Sequence, residues 1–166
     1  MHVVVMGVTG CGKSTVGRML ARAVGAQFAD GDDFHAPDAV AKMAANVPLT
    51  DDDRWPWLAR VGQWLGGEGD RVVACSALKR SYREAILAAA PDAFFVHLRA
   101  PQATLEARVA ARAEATGHFA GPGLLDSQFA TLEELHADEP GIAIDVSAAS
   151  PSDAARTAQA AVAAPE

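Results

Sequence analysis

Six residues into the chain begins an unbroken G-x-x-x-x-G-K-[ST] segment, Gly7-Val8-Thr9-Gly10-Cys11-Gly12-Lys13-Ser14. An apolar run, His2–Met6, precedes it and has the pattern of a buried strand. Residues 15–24 follow with helical character. Strand, glycine loop and helix, in that order, confine the chain to folds in which a loop at the end of a parallel strand faces an anion. The glycines let successive backbone N–H groups curl around that anion, at the positive end of the helix dipole. Lys13 can reach outer phosphates as a point charge, and the Ser14 hydroxyl can ligate Mg²⁺. Gly7, Val8, Thr9, Gly10, Cys11, Gly12, Lys13, Ser14 and Thr15 are therefore the candidate ATP-phosphate site.

Further strand-like runs fall at residues 26–29, 71–75, 93–98 and 141–146, with helical patterns between them. Alternating strands and helices predict an α/β fold with a five-stranded parallel sheet and helices on both faces. Ligands then sit beyond the carboxyl ends of the strands. That rule gathers the glycine loop, Asp30–His35, Cys75–Arg80 and the segment after Arg99 around one crevice. Between strands two and three, residues 37–45 read as one helix. A second starts at Asp51-Asp52-Asp53, where carboxylates suit a helix N-terminus. Trp57, Val61, Trp64 and Leu65 share a face on it and read as packing residues. Ser150-Pro151 opens the last helix.

A length of 166 residues suits a single domain, and the net charge of −7 disfavours nucleic acid and anionic membranes as partners. No stretch is long and apolar enough to span a membrane, and two cysteines make no disulfide framework, so a cytoplasmic enzyme is expected. Lys13, Lys42 and Lys79 are the only lysines among fourteen basic residues. The last two flank the same predicted crevice, which suggests sites that want a compact ammonium.

Asp30-Gly31-Asp32-Asp33-Phe34-His35 follows strand two and turns carboxylates toward the glycine loop. Such a carboxylate can orient or deprotonate an acceptor hydroxyl, or hold Mg²⁺; a capped turn is the plainer alternative. Together with Gly7–Thr15, Lys42-Met43, residues 48–54 (PLTDDDR), Pro56-Trp57-Leu58, residues 74–80 (ACSALKR), Tyr82-Arg83, Gly117-His118-Phe119 and residues 127–134 (SQFATLEE), this segment resembles the gluconokinase family. The blocks run in order through nearly the whole chain. Two departures stand out: Ala36 follows His35, with Pro37 one place later, and Ala39 stands where an asparagine is expected. The stretch between Arg112 and Gly117 is also about three residues longer than the compact family form.

The resemblance implies ATP-dependent phosphorylation of D-gluconate on its 6-hydroxyl, on a three-layer P-loop kinase fold like that of the nucleoside monophosphate kinases. It implies a substrate-binding insert, about residues 35–67, and a mobile lid, about residues 112–124, shaped in part by His118. It is compatible with a homodimer. Asp32, for want of an aspartate at the tip of strand three, is expected either to ligate Mg²⁺ or to accept the hydroxyl proton. Arg54 suits bidentate pairing with the gluconate carboxylate, the alternative being an ion pair with its neighbouring aspartates. His35, Lys42, Lys79 and Arg83 are further substrate-binding candidates; for Arg83 the alternative is a solvated helix face. Arg108 and Arg112, four apart on one helix, would close over ATP, with Arg112 on the transferring group; a surface pair matched to Glu106 and Glu114 is the alternative. In this fold strand three lies beside strand one, so Cys11 and Cys75 could be near neighbours and form a redox pair. Two other functions stay open: a related small-molecule kinase acting on shikimate or another sugar acid, and a nucleotide-dependent binding protein without turnover.

Overall fold

The computed structural model describes residues 1–117 and 123–164. Its five strands are β1 (His2–Met6), β2 (Gln27–Asp30), β3 (Arg71–Ala74), β4 (Ala93–Arg99) and β5 (Gly141–Asp145). They form one parallel sheet in the order β2-β3-β1-β4-β5. Each strand lies within a residue of its sequence-predicted position, and β3 does pair with β1.

Val3, Val4, Val5 and Met6 are all fully buried. Both faces of β1 are covered, so its sequence is a continuous apolar run rather than an alternating one. Val3 and Val5 face one core with α1 (Lys13–Val24) and α7 (Pro151–Ala163). Val4 and Met6 face the other, with α3 (Asp51–Leu65) and α4 (Arg80–Leu87).

Between β2 and β3 come a 3₁₀ turn (Gly31–Phe34), α2 (Pro37–Ala44) and α3. Thr50 caps α3 in a capping box: its hydroxyl accepts from the Asp53 N–H, and the Asp53 carboxylate accepts from the Thr50 N–H. Trp57, Val61 and Leu65 are buried, and Trp64 is half-buried. α3 grips the turn before it, because Trp57 Nε1 donates to the Gly31 oxygen and Arg60 Nε to the Phe34 oxygen, each at 2.7 Å. After β4 come α5 (Gln102–Thr116) and α6 (Leu124–Thr131). The expected lid falls partly on residues 118–122, His118 included, which lie outside the described residues. Among the described residues no helix is long and apolar enough to cross a membrane.

Candidate active site

Gly7 opens the loop after β1 with φ +144°, and a β-carbon there would come within 2.5 Å of the Leu98 carbonyl oxygen. Gly12 caps α1 in the left-handed region at φ +94°. Neither position admits a side chain without strain. The first N–H groups of α1, at the end of this loop, have no acceptor within the helix. Lys13 Nζ rests on the Val8 carbonyl oxygen at 3.2 Å. The Thr9 N–H donates to Gln128 Oε1 on α6 at 2.6 Å. Val8 and Cys11 are buried, so they contribute to this loop through their backbone, while the Thr15 side chain is exposed.

Ser14 Oγ donates to Asp30 Oδ2 at 2.9 Å. The other Asp30 oxygen accepts from the Asp32 N–H at 3.0 Å and caps the 3₁₀ turn. One carboxylate thus joins the phosphate loop to the turn after β2. The Asp32 side chain is 84% exposed, with Oδ1 3.7 Å from His35 Nε2. His35, chiefly, and Lys13 hold the Asp32 carboxyl below the usual aspartate range against a weaker opposing effect of burial. The His35 ring is stacked on Trp57, centroids 4.4 Å apart, and its Nδ1 is buried with no hydrogen-bond partner among the described residues. Trp57 therefore packs, as its spacing predicts, and also sets the plane of His35.

The far wall is built by α2, α3 and the start of α4. Lys42 bonds both oxygens of Asp53 at 2.9 Å. That bond and the Thr50 N–H bring the Asp53 carboxyl down to about 2. Tyr82 donates its hydroxyl to Asp51 at 2.5 Å. Arg54 and Lys79 approach the same carboxylate at 3.6 and 3.5 Å. Both cations also lie over the Tyr82 ring, at 5.7 and 5.4 Å. Arg54 donates as well to the Leu49 oxygen at 2.9 Å. Arg54 and Lys79 thus share the single Asp51 carboxylate, which Tyr82 also engages. The Asp51 carboxyl sits below its usual range, first because of Tyr82 and then because of Lys79 and Arg54.

On the other side of the loop, Arg108 donates to the Val146 and Ser147 carbonyl oxygens at 2.6 and 3.3 Å. It borders a cavity of about 300 Å³ whose walls include Gly10, Gly12, Val16, Val146 and Pro151. Arg112, a turn further along α5, is exposed and makes no ion pair among the described residues. The surface pairing with Glu106 or Glu114 is thus not made there.

A glycine-loop anion site, two carboxylates after β2 and a wall carrying Arg54 and Lys79 opposite describe a phosphotransferase crevice. A family model described as "AAA domain" matches residues 3–135. A gluconokinase from Gluconobacter oxydans (strain 621H) is 46% identical over 147 residues, covering 86% of this chain and 80% of its own. The thermosensitive gluconokinase of Escherichia coli (strain K12) is 39% identical, covering 84% of this chain and 75% of its own. The crystal structure of a gluconokinase from Sinorhizobium meliloti 1021 superposes with a TM-score of 0.88 at 44% identity, covering 98% of this chain and 91% of its own. The chain belongs to the gluconokinase family. It is a kinase with the P-loop fold, and that family uses ATP.

Within this gluconokinase-family site three expectations change. Arg83 is neither at the crevice nor on a solvated helix face, because its side chain is fully buried. Its guanidinium is consumed by Glu139, at 2.5 and 2.9 Å, and by the carbonyl oxygens of Ala77, Leu78 and Glu133. The carboxylate against Ser14 is Asp30 rather than Asp32. The two thiols are free and lie in cores on opposite faces of the sheet. Burial raises the pKa of both, that of Cys75 to about 12, so neither is a ready thiolate and a redox pair has no support. Of the departures, Ala36 is the N-cap of α2 and Ala39 is buried on that helix. Tyr82 and Gln128 join the site unpredicted, while the Arg54–Asp51 ion pair is the alternative the sequence left open for Arg54. Tyr82 and Gln128 stand in the family blocks, but only their partners reveal a role.

Proposed function

We propose that the crevice transfers the γ-phosphoryl group of ATP to the 6-hydroxyl of D-gluconate, giving 6-phospho-D-gluconate and ADP. The base occupies the cavity beside Arg108, between the apolar walls of Val16, Val146 and Pro151. The N–H groups of the loop from Gly10 to Thr15 hold the phosphates, and Lys13 leaves the Val8 oxygen to join them. Ser14 and Asp30, two hard oxygen donors in contact, are the residues that would hold Mg²⁺, which when bound neutralises phosphate charge. Asp32 then remains free for the acceptor, orienting its hydroxyl and taking its proton. Arg112, exposed and without an ion pair among the described residues, is the candidate cation for the transferring group.

Residues 35–67 form the acceptor insert in this reading. The carboxylate-binding element pairs Arg54 of the insert with Lys79, the N-cap residue of α4 outside it. His35 and Lys42 contribute hydrogen bonds to the hydroxyls, and Lys42 also anchors α2 to α3 through Asp53. The observation that carries the reading is the sharing of one carboxylate, Asp51, by Arg54 and Lys79 at 3.6 and 3.5 Å, since both cations keep further donors for the carboxylate of an open-chain sugar acid. A cytoplasmic setting, where ATP is abundant, fits this chemistry.

An ADP-release assay over D-gluconate, other sugar acids and shikimate tests it. D-Gluconate is expected to stimulate ADP formation most, and Lys13→Ala to lower that rate by at least about a hundredfold by leaving phosphate charge unmatched. Tight ATP binding without acceptor-stimulated turnover, or a preference for shikimate, would overturn the assignment.

A further inference from the structure

The peptide unit between Val8 and Thr9 is held at both ends. Its carbonyl oxygen accepts from Lys13 Nζ at 3.2 Å and from the Cys11 N–H at 3.3 Å. Its N–H donates to Gln128 Oε1 at 2.6 Å, across 119 positions of sequence. A backbone N–H can only donate, so the Gln128 carboxamide must present its oxygen to the loop. A peptide plane is rigid, so an N–H that turns away carries its carbonyl with it. The Gln128 side chain therefore governs where the oxygen that parks Lys13 points.

The helix carrying Gln128 leads into chain bonded to the acceptor wall. The Glu133 N–H donates to the Leu78 oxygen, and the Glu133 carboxylate accepts from the Arg80 N–H, each at 2.8 Å. The phosphate loop and the Lys79 wall thus hang on one strut.

We propose that Gln128 is a positioning residue for phosphoryl transfer, acting on Lys13 through the Val8–Thr9 peptide. This rests on the reading of that loop as the ATP site. Lys13 must exchange one partner, the Val8 oxygen, for the phosphates. A fixed peptide plane keeps the starting point of that exchange single rather than one of several.

Gln128→Met keeps the length and packing of the side chain and removes the acceptor, whereas Gln128→Glu keeps an acceptor at the same reach. Gln128→Met is expected to lower kcat/KM for ATP about 3- to 10-fold, the scale of one net hydrogen bond. The KM for gluconate should stay unchanged and Tm should stay within about 3 °C. Hydrogen exchange at the Thr9 N–H, followed by NMR in the whole protein, should quicken in Gln128→Met and stay slow in Gln128→Glu. Unaltered ATP kinetics in Gln128→Met, or unaltered Thr9 exchange, would overturn the proposal, as would a kinetic loss tracked by a matching fall in Tm. A wild-type protein that forms no ADP with gluconate would instead overturn the functional reading, while Thr9 exchange would still report on the peptide.

Discussion

Asp30 and Asp32 stand two positions apart, and their partners divide the chemistry between them. Asp30 meets the Ser14 hydroxyl, and Asp32 faces open crevice beside His35. Asp30→Asn is therefore expected to raise the Mg²⁺ concentration needed for half-maximal rate, read from a metal titration of turnover. Asp32→Asn should instead lower kcat by about a hundredfold or more while ATP affinity holds, since removal of a positioned proton acceptor acts on the transition state. An ATP-affinity change alone in that variant would move Asp32 to the nucleotide. The sequence presents both carboxylates in one short motif, and spacing could not separate them. The 3₁₀ turn does so, by spending one Asp30 oxygen on its own cap and turning the other to Ser14.

The acceptor wall depends on how α3 begins. Thr50 and Asp53 cap it, Lys42 clamps Asp53, and Asp51 and Arg54 lie in its first turn. Thr50→Ala removes the side-chain acceptor for the Asp53 N–H and should cost about 1 kcal/mol in chemical denaturation. The same variant should raise KM for gluconate more than KM for ATP, because Arg54 and Asp51 lose their fixed origin. Because Asp53 titrates near 2 in the folded protein, below its unfolded value, its contribution to this cap is complete above the ordinary aspartate range. It declines as pH falls below that range and is gone once pH has passed through about 2. The acidic cluster made this helix start legible. Its reach to Lys42 and, through Asp51, to Tyr82 and Lys79 was not, because those partners come from other elements.

Across the whole molecule, the buried Arg83–Glu139 pair ties α4 to the chain before β5. Burial pushes the Glu139 carboxyl up, but Arg83 and the His136 N–H outweigh it and hold the group below its usual range. The unfolded chain thus takes up the proton first. Stability from this group is complete above about pH 4.5 and declines as pH falls toward the folded value. A denaturation series from pH 7 to pH 3 should show a plateau followed by that decline. Glu139→Ala leaves a buried guanidinium unpaired and should cost about 3–5 kcal/mol at neutral pH. Pairing it with Arg83→Met should recover much of the loss, as denaturant midpoints of the single and double variants would show.

Sequence alone settled what local chemistry and periodicity can encode. The glycine loop required a strand behind it and a helix ahead, and apolar runs alternating with helices required a covered parallel sheet. The narrow blocks pointed to the family, with most of its candidate residues. Tertiary structure decided which side chains are already spent. Arg83 reads like any surface arginine until α4 packs and buries it against Glu139. Cys11 and Cys75 look like neighbours on a topology diagram until packing buries Cys11 in the core with α1 and Cys75 in the core with α3 and α4. Gln128 stands in a family block without showing its partner, since a bond spanning 119 positions exists only once α6 is laid against the loop. Motifs encode the groups a site can offer; packing, acting between residues far apart in the chain, determines which of them remain free.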